Sequence, residues 1–387
     1  MKPRFSNIAK FYTWSCISGF NLVYIIQAIY LLNQGFTASQ LALFASMTAL
    51  CSTLLEIPTG YVADAFSRKA SVALGFLCVS IAYIGLAFVQ TISGLFFVSL
   101  FLGLNNALKS GATEALIFDE LKRLTKDSDY LHIISRGSMF TQIAAAAASL
   151  IGPILYATNT AVPFIINSAI NLFLTFFVLT FKETVSSHEV ARKISVFDGV
   201  RKVFKVKPIL IITGIDMLLL IFVNIFYQVL YFPKLNQLGV SVQYLGLTDV
   251  MTLACMTAML LHLPQMAFKK DGTNLIVYTL ATVGIFIVFG MTTHLLVAII
   301  FGPLFDLAWT ARKHIVGALT NTYLAAHDRA LSLSSMSFMS NAVAALLVPL
   351  AMYMFTINYI FSCIPATVIV VLLILYGRAQ LLVRPPA

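Results

Sequence analysis

The chain has 387 residues, 59% of them apolar and only 10% charged, and its formal net charge is +10. A soluble globular protein carries about a quarter charged residues, so this composition excludes that class. Segments of about 20 apolar residues, long enough to cross a bilayer, account for nearly the whole chain and leave no room for a large domain outside the membrane.

The apolar segments predict twelve transmembrane helices that are joined mostly by short loops. In chain order the predicted spans are residues 10–33, 39–62, 70–89, 93–118, 133–156, 161–181, 208–232, 243–267, 274–292, 295–317, 331–355 and 357–377. The first segment is too long for a cleaved signal peptide, so we expect it to remain in the membrane as an anchor. The fold class is therefore an all-α membrane protein.

Basic residues are distributed asymmetrically about these spans. Of the 25 lysines and arginines, all but Lys109 and Lys234 lie on one side or at its membrane edge. The positive-inside rule makes that side cytoplasmic and predicts that both termini are cytoplasmic. Topology thus explains the net charge, which argues against nucleic-acid binding. The very short termini and loops favour a bacterial inner (plasma) membrane.

A polar stretch, residues 182–207, divides the predicted helices into two sets of six. Within it Val196, Val200 and Val203 recur at helical spacing and predict an amphipathic helix on the anionic cytoplasmic surface. The two sets resemble each other, since Leu-Glu-Ile-Pro-Thr ends the second span and Leu-His-Leu-Pro-Gln ends the eighth. We therefore predict an N-terminal bundle of residues 1–181, a cytoplasmic linker of residues 182–207 and a C-terminal bundle of residues 208–387.

The loop after the second span carries the most specific motif of the chain. It reads Gly60-x3-Asp64-x3-Arg68-Lys69, and it resembles the loop between the second and third spans of the major facilitator superfamily of secondary transporters. The resemblance implies two pseudo-symmetric six-helix bundles that rock about a site near the middle of the membrane. It also implies a conformational latch formed by Gly60, Asp64, Arg68 and Asp119, in which Arg68 reaches the carboxylate of Asp119. A helix stop and tight turn are expected near Gly60. The motif departs from the family's pattern at Ser67, which replaces the usual glycine before Arg68.

A stretch in the fifth span resembles part of a motif of the family's drug and proton antiporters. Gly152 and Pro153 follow a run of alanines, and small residues allow close helix packing while proline bends the helix. The stretch favours export. However, Ser99 stands where those antiporters carry an arginine, so a packing role alone remains the alternative.

Polar residues inside the spans are the candidates for a substrate and proton cavity, because charges in hydrocarbon are costly. In the family the first, fourth, seventh and tenth helices line the central cavity, and the deepest charges here fall on three of these four. The candidates are Asn21, Tyr24, Gln27, Asn105, Lys109, Asp216, Asn224, Tyr227, Asp306 and Trp309. A buried ion pair that holds helices together is the alternative for each charge. For Glu114, Arg136 and His262, near the cytoplasmic edge, a structural role is favoured.

These features predict a secondary active transporter that exports a small organic molecule, such as a drug or a secreted metabolite, by proton-coupled alternating access. The alternative is proton-coupled uptake of an anionic metabolite such as a carboxylate or a siderophore, with Lys109 as the positive surface, joined by Arg312 and Lys313 if they turn inward. No catalytic motif, phosphate loop or CxxC pair occurs, so we expect no enzyme activity, cofactor or metal. The expected partners are the substrate, protons and lipid, and the expected state is a monomer.

Overall fold

The computed structural model describes residues 7–65, 67–110, 112–113, 116, 130–181, 201, 203–262, 272–323 and 329–382, and its long elements are all helices. The α-helices are α1 (Asn7–Gly19), α2 (Gln27–Asn33), α3 (Ala38–Ala65), α4 (Arg68–Ala87), α5 (Ile92–Lys109), α6 (Tyr130–Thr158), α7 (Val162–Leu179), α8 (Lys207–Ile225), α9 (Tyr231–Gln237), α10 (Leu245–His262), α11 (Gly272–Met291), α12 (Leu295–Tyr323), α13 (Arg329–Ile357) and α14 (Tyr359–Leu382). A π-turn at Phe226–Leu230 joins α8 to α9, and a 3-10 turn at Val242–Tyr244 precedes α10. The all-helical prediction is confirmed.

Nine helices in the described part of the chain are long and apolar enough to cross a membrane. They correspond to the second to seventh and the ninth to eleventh predicted spans. The first, eighth and twelfth spans fall on α1 with α2, on α10 and on α14. The count of twelve spans therefore stays a prediction, while the assignment as an integral membrane protein follows from the apolar helices.

Helix α7 shows how the side chains are sorted for a membrane. Phe173 and Phe176 are 54% and 63% exposed, whereas Asn167, Ser168 and Thr175 are buried. Apolar groups outside and polar groups inside are the reverse of the pattern on a surface helix of a soluble protein. A lipid environment accepts this arrangement, because it has no water to satisfy exposed polar groups.

The chain divides into two compact units. The first holds the described residues within 1–35, 47–191 and 241–247, and the second those within 36–46, 192–240 and 248–387. In the first unit α4 packs against α5 and α7, and α1 packs against α6. In the second unit α11 packs against α12, and α8 packs against α13 and α14. The boundaries predicted for the two bundles and the linker stay predictions.

The first predicted span is broken, which corrects the prediction of one continuous helix. Helix α1 ends at Gly19 and α2 begins at Gln27, so residues 20–26 between them are not helical. No proline lies in this segment to explain the break. The cause is therefore a competing set of hydrogen bonds.

Asparagine side chains accept hydrogen bonds from two backbone N–H groups at the break. The Oδ1 atom of Asn21 accepts from the N–H of Val23 at 3.1 Å, and the Oδ1 atom of Asn167 on α7 accepts from the N–H of Leu22 at 3.0 Å. A local side-chain bond of the first kind is how asparagine competes with a helix. Both N–H groups are satisfied inside the protein, as a hydrocarbon environment requires.

The boundary between α3 and α4 lies later than the sequence motif suggests. Helix α3 continues through Gly60 and ends at Ala65, so the expected helix end at Gly60 is wrong. Ser67 caps α4, since its side chain accepts from the N–H of Ala70 at 3.1 Å. The serine that replaces the family's glycine before Arg68 thus satisfies a donor that a glycine would leave to water.

Candidate functional site

The interior of the second unit contains a buried ion pair. Asp216 on α8 and Arg312 on α12 join through Oδ1 and Nη2 at 2.5 Å, and Arg312 is only 1% exposed. The guanidinium group also donates from Nε to Thr279 Oγ1 on α11 at 3.0 Å and lies 5.5 Å from the ring centroid of Trp309. Buried charges are tolerated when they are paired and hydrogen-bonded. The cluster therefore connects three helices and compensates both charges.

The ion pair removes Arg312 from the positive surface expected on α12, because its guanidinium group is bonded to Asp216. Lys313 is exposed, and its place in an anion-binding surface stays a prediction. Thr279, which completes the cluster, was not among the residues singled out from the sequence. The sequence gives little indication of this role, because threonines in apolar segments commonly bond to the backbone of their own helix.

Asp306 on α12 has a neutral partner instead of a cation. The phenol of Tyr227 donates to Oδ1 of Asp306, whose side chain is 8% exposed. Among the residues that the structure describes, no lysine, arginine or histidine forms an ion pair with this carboxylate. Asp216 and Asp306 thus occupy different electrostatic surroundings, although each lies within a predicted span.

Tyr227 reaches Asp306 from the π-turn. The turn, Phe226–Leu230, interrupts the regular hydrogen bonding between α8 and α9. Phe226 stacks on Phe305 with ring centroids 3.8 Å apart, which anchors the turn beside the residue that precedes Asp306. Turns of this kind occur often at functional sites, because the extra residue rotates the side chains that follow.

The other candidates of the second unit lie outside this contact. Asn224 is half-buried, and its Nδ2 donates to the carbonyl of Leu220 on its own helix at 2.7 Å. Trp309 is half-buried beneath the guanidinium group of Arg312. The structure therefore joins Tyr227 with Asp306 and joins Trp309 with the ion pair, but leaves Asn224 bonded within α8.

Around the broken first span, the first unit contains neutral polar groups. Asn21 donates to the phenol oxygen of Tyr83 at 3.2 Å and accepts from Asn167 at 3.3 Å. Tyr24, inside the break, is 48% exposed, and Gln27 at the start of α2 is half-buried. Tyr83 and Asn167 were not predicted, because nothing in the sequence shows which polar groups meet a helix break.

Lys109, the last residue of α5, rests on an aromatic ring. Its Nζ lies 4.0 Å from the ring centroid of Phe76, and a Cβ atom at Gly75 would come within 2.8 Å of its Cγ, so the stem lies flat on α4. In the described parts of the chain no carboxylate forms an ion pair with Lys109. Asn105, one turn earlier, donates to Asn106 at 3.1 Å, and its Oδ1 receives no hydrogen bond from the residues described.

The predicted latch falls mostly outside the described side chains. Asp119 is not among the described residues, and of Gly60 and Asp64 only the helical backbone is described. Arg68 is half-buried at the start of α4. The latch therefore stays a prediction. Glu114 and the side chain of His262 also lie outside the description.

Gly152 and Pro153 lie inside α6, and Gly152 packs against the break. A Cβ atom at Gly152 would lie 2.2 Å from the carbonyl oxygen of Leu22, which no side chain allows. This close approach needs a glycine, as small residues at helix interfaces generally do. Arg136, on the same helix, is exposed.

Comparison with solved structures places this architecture among transporters. A point variant of the nucleoside transporter NupG is similar with a TM-score of 0.80 at 14% identity, covering 97% of this chain and 99% of that chain. A POT family transporter in complex with a thioalcohol-conjugated peptide is similar with a TM-score of 0.68 at 14% identity, covering 97% and 95%. A D-xylose–proton symporter is similar with a TM-score of 0.65 at 12% identity, covering 95% and 97%. At these identities the similarity shows the fold alone.

The sequence itself also matches a family. No curated protein matches it, but residues 11–311, more than half of the chain, match the Major Facilitator Superfamily. Helices that expose apolar side chains, buried polar clusters and the motif after the second span agree with this match. The chain belongs to the major facilitator superfamily and is an integral membrane transporter, not an enzyme.

Proposed function

We propose that this transporter moves a small organic molecule by proton-coupled alternating access and that Asp306 carries the proton. The observation behind the proposal is the pairing of Asp306 with the phenol of Tyr227. A carboxylate removed from water is costly in its ionised form unless a cation compensates it. The side chain of Asp306 is buried, and among the described residues its one hydrogen-bond partner is a neutral donor, so binding and release of a proton change the net charge of the pair.

Asp216 is the less suitable proton carrier of the two. Its carboxylate is held at 2.5 Å by Arg312, so protonation would leave that guanidinium group buried without its counter-ion. Breaking such a pair costs several kcal/mol, about 3–5 in proteins where it has been measured. We therefore assign Asp216 to the structure of the second unit.

Gradient-driven transport by Asp306→Asn tests the proposal. The variant should lose accumulation of solute against a gradient in proteoliposomes while keeping counterflow, because asparagine preserves the shape and hydrogen bonding but cannot exchange a proton. Asp249→Asn, at a half-buried position on α10, is the matched control. Normal accumulation by Asp306→Asn would refute the assignment. The first solutes to test are a nucleoside, a dipeptide and D-xylose, the classes named for the similar structures, together with a cationic dye and a monocarboxylate.

Export is the direction that we propose, because the stretch ending in Gly152 and Pro153 resembles the antiporters of the family. A second candidate is uptake of an anion, which the position of Lys109 favours, since this cation lies against Phe76 and forms no ion pair with a described carboxylate. Inverted and right-side-out vesicles separate the two. An exporter accumulates the solute in inverted vesicles under a proton gradient, and an importer accumulates it in right-side-out vesicles. The proposed setting is a bacterial inner membrane with both termini in the cytoplasm.

A further inference from the structure

A groove lies between α11 and α14 on the outside of the second unit. The two helices pack against each other, and they are antiparallel, because the phenol of Tyr359 at the start of α14 donates to the carbonyl of Phe286 near the end of α11 at 2.7 Å. The groove is at the opposite end of the pair, beside the first residues of α11. The distribution of basic residues predicts that this end is cytoplasmic. We call this opening the α11–α14 groove.

The walls of the α11–α14 groove are almost entirely apolar. On each helix the lining residues recur at the spacing of one helical face, and they are Thr273, Ile276, Val277 and Leu280 on α11 and Val371, Ile374 and Leu375 on α14. Val277, Leu280 and Leu375 are 55%, 44% and 61% exposed. In a membrane protein, apolar side chains exposed in this way have hydrocarbon as their neighbour. The groove therefore faces lipid.

The size of the groove suits a length of hydrocarbon chain. Its volume is about 260 Å³. A water molecule takes up ~30 Å³ of the liquid, and a methylene group is about as large, so the groove has room for several methylene groups in a row. One acyl chain can thus lie between the two helices.

Polarity changes at one end of the groove. Thr273, in the first turn of α11, is exposed and carries the one hydroxyl group among the described lining residues. The first N–H groups of α11 lie at the same end and bear the positive partial charge of a helix N-terminus. The groove therefore passes from apolar walls to a polar rim, as a phospholipid passes from its tails to its headgroup.

A basic residue follows the α14 wall at this rim. Arg378 is seven residues after Val371 and three after Leu375, and α14 continues to Leu382. Its position therefore belongs to the same helical face as the wall, about 4.5 Å further along the axis than Leu375.

The α11 wall is preceded by a basic pair in the sequence. Lys269 and Lys270 lie outside the described residues, but chain connectivity alone keeps the Cα atom of Lys270 within about 11 Å of that of Thr273. Asp271 is the acidic residue of this segment, so three basic residues stand against one acidic residue when Arg378 is included. Positive charge beside an apolar slot on the cytoplasmic side suits an anionic lipid headgroup.

We propose that the α11–α14 groove binds one anionic phospholipid from the leaflet predicted to be cytoplasmic. An acyl chain lies between the two walls, and the phosphate group lies at the rim beside Thr273, Lys270 and Arg378. A zwitterionic phospholipid with the same chains fills the walls equally well but leaves the positive net charge of the rim uncompensated. None of the lining residues belongs to the candidate cavity, so the site is independent of the solute and of the proton carrier.

Lipid titration followed by native mass spectrometry tests the preference for an anionic lipid. The full chain in mild detergent is titrated with dioleoyl-phosphatidylglycerol and, separately, with dioleoyl-phosphatidylcholine. The first phosphatidylglycerol should bind at least about fivefold more tightly, the gain expected from one basic residue near an anionic group. Equal affinities would overturn the proposal. Glycerol 3-phosphate in excess should leave the lipid bound, and its displacement would reveal a site for a soluble phosphate compound instead.

Val277→Trp tests whether the lipid lies in the groove, because the larger side chain fills the space between the walls. Val288→Trp is the matched control, since Val288 is 42% exposed outside the groove and lies three turns further along α11 on nearly the same face. Val277→Trp should weaken the first phosphatidylglycerol about tenfold, as the loss of two buried methylene groups would. Equal affinities of the two variants would place the lipid elsewhere and refute the site.

The double variant Lys270→Gln with Arg378→Gln tests the rim. It should remove most of the preference for phosphatidylglycerol and leave the affinity for phosphatidylcholine unchanged. Arg201→Gln with Lys205→Gln is the control, because these exposed residues of the second unit lie on the same predicted side but away from the groove. A preference that survives in the rim variant, or that falls equally in the control, would overturn the proposal. This comparison also decides the question if Val277→Trp fails to fold.

Discussion

The interiors of the two units differ in charge although both are built from similar helices. The second unit buries the ion pair of Asp216 with Arg312 and, separately, the carboxylate of Asp306. The first unit is held by neutral amides and a phenol, and its half-buried cation, Lys109, rests on an aromatic ring. Asp216 and Asp306 both lie within predicted spans, so position within a span does not determine whether a charged group has an oppositely charged partner.

The contrast supports the proposal that proton exchange takes place in the second unit. Proton exchange requires a group whose charge can change at modest cost, and in the described chain Asp306 meets that condition better than Asp216 does. In the first unit the neutral side chains of Asn21, Tyr83 and Asn167 hold the break between α1 and α2. Four substitutions probe this contrast, and they are ordered by the size of the expected effect.

Arg312→Ala should produce the largest loss. It leaves the carboxylate of Asp216 without its counter-ion in the interior, which costs about 3–5 kcal/mol of unfolding free energy for a buried pair. Denaturant titration in detergent measures it. Lys313→Ala, at the exposed neighbour, should stay within about 0.5 kcal/mol. Adding Asp216→Asn to Arg312→Ala should recover part of the loss, and an absence of recovery would contradict the ion-pair account.

Tyr227→Phe should reduce proton-driven transport about tenfold, equivalent to ~1.4 kcal/mol, because it removes a hydrogen bond to a charged group and nothing else. The ring remains packed against Phe305, so stability should change little. Tyr231→Phe is the control, since it removes a phenol that lies 3.5 Å from the hydroxyl of Thr252 and forms no hydrogen bond with Asp306 among the described residues. Equal effects of both substitutions on transport would count against a special role for Tyr227.

Lys109→Gln should lower the affinity for anionic solutes by a factor of about five and leave neutral solutes almost unchanged, since a positive charge attracts anions even when partly screened. Lys109→Arg keeps the charge and serves as the control. Competition with benzoate and with uridine measures the difference. An equal loss for both solutes, together with lower thermal stability, would show that Lys109 serves the packing of α5 on α4.

Ser67→Ala should have the smallest effect, about 1 kcal/mol of stability, because it removes the side-chain acceptor at the start of α4. Ser67→Gly, which restores the family's residue, should cost only a few tenths of a kcal/mol. Thermal unfolding of the purified protein compares the two. Equal losses would indicate that the hydroxyl group of Ser67 does not cap the helix.

Parts of the candidate site could be predicted from the sequence because they depend on single residues. A carboxylate or a lysine inside an apolar segment stands out by its cost, so Lys109, Asp216 and Asp306 were found. Which of them is compensated could not be predicted, because Arg312 lies 96 residues after Asp216 in the chain. Asn167 lies 146 residues after Asn21, so their contact could not be predicted either.

Composition and hydrophobic segments determined the membrane class, the helical fold and the family, since these depend on segment length, average polarity and one local motif. Tertiary structure decided where the first span breaks, which acid is paired and where α3 ends. The physical reason is that the break and the ion pair depend on hydrogen bonds and contacts from distant segments, whereas the boundary between α3 and α4 depends on the local cap formed by Ser67. Asn167 accepts a hydrogen bond from the N–H of Leu22, and Arg312 forms an ion pair with Asp216. Gly152 allows the backbone of α6 to pack closely against the break.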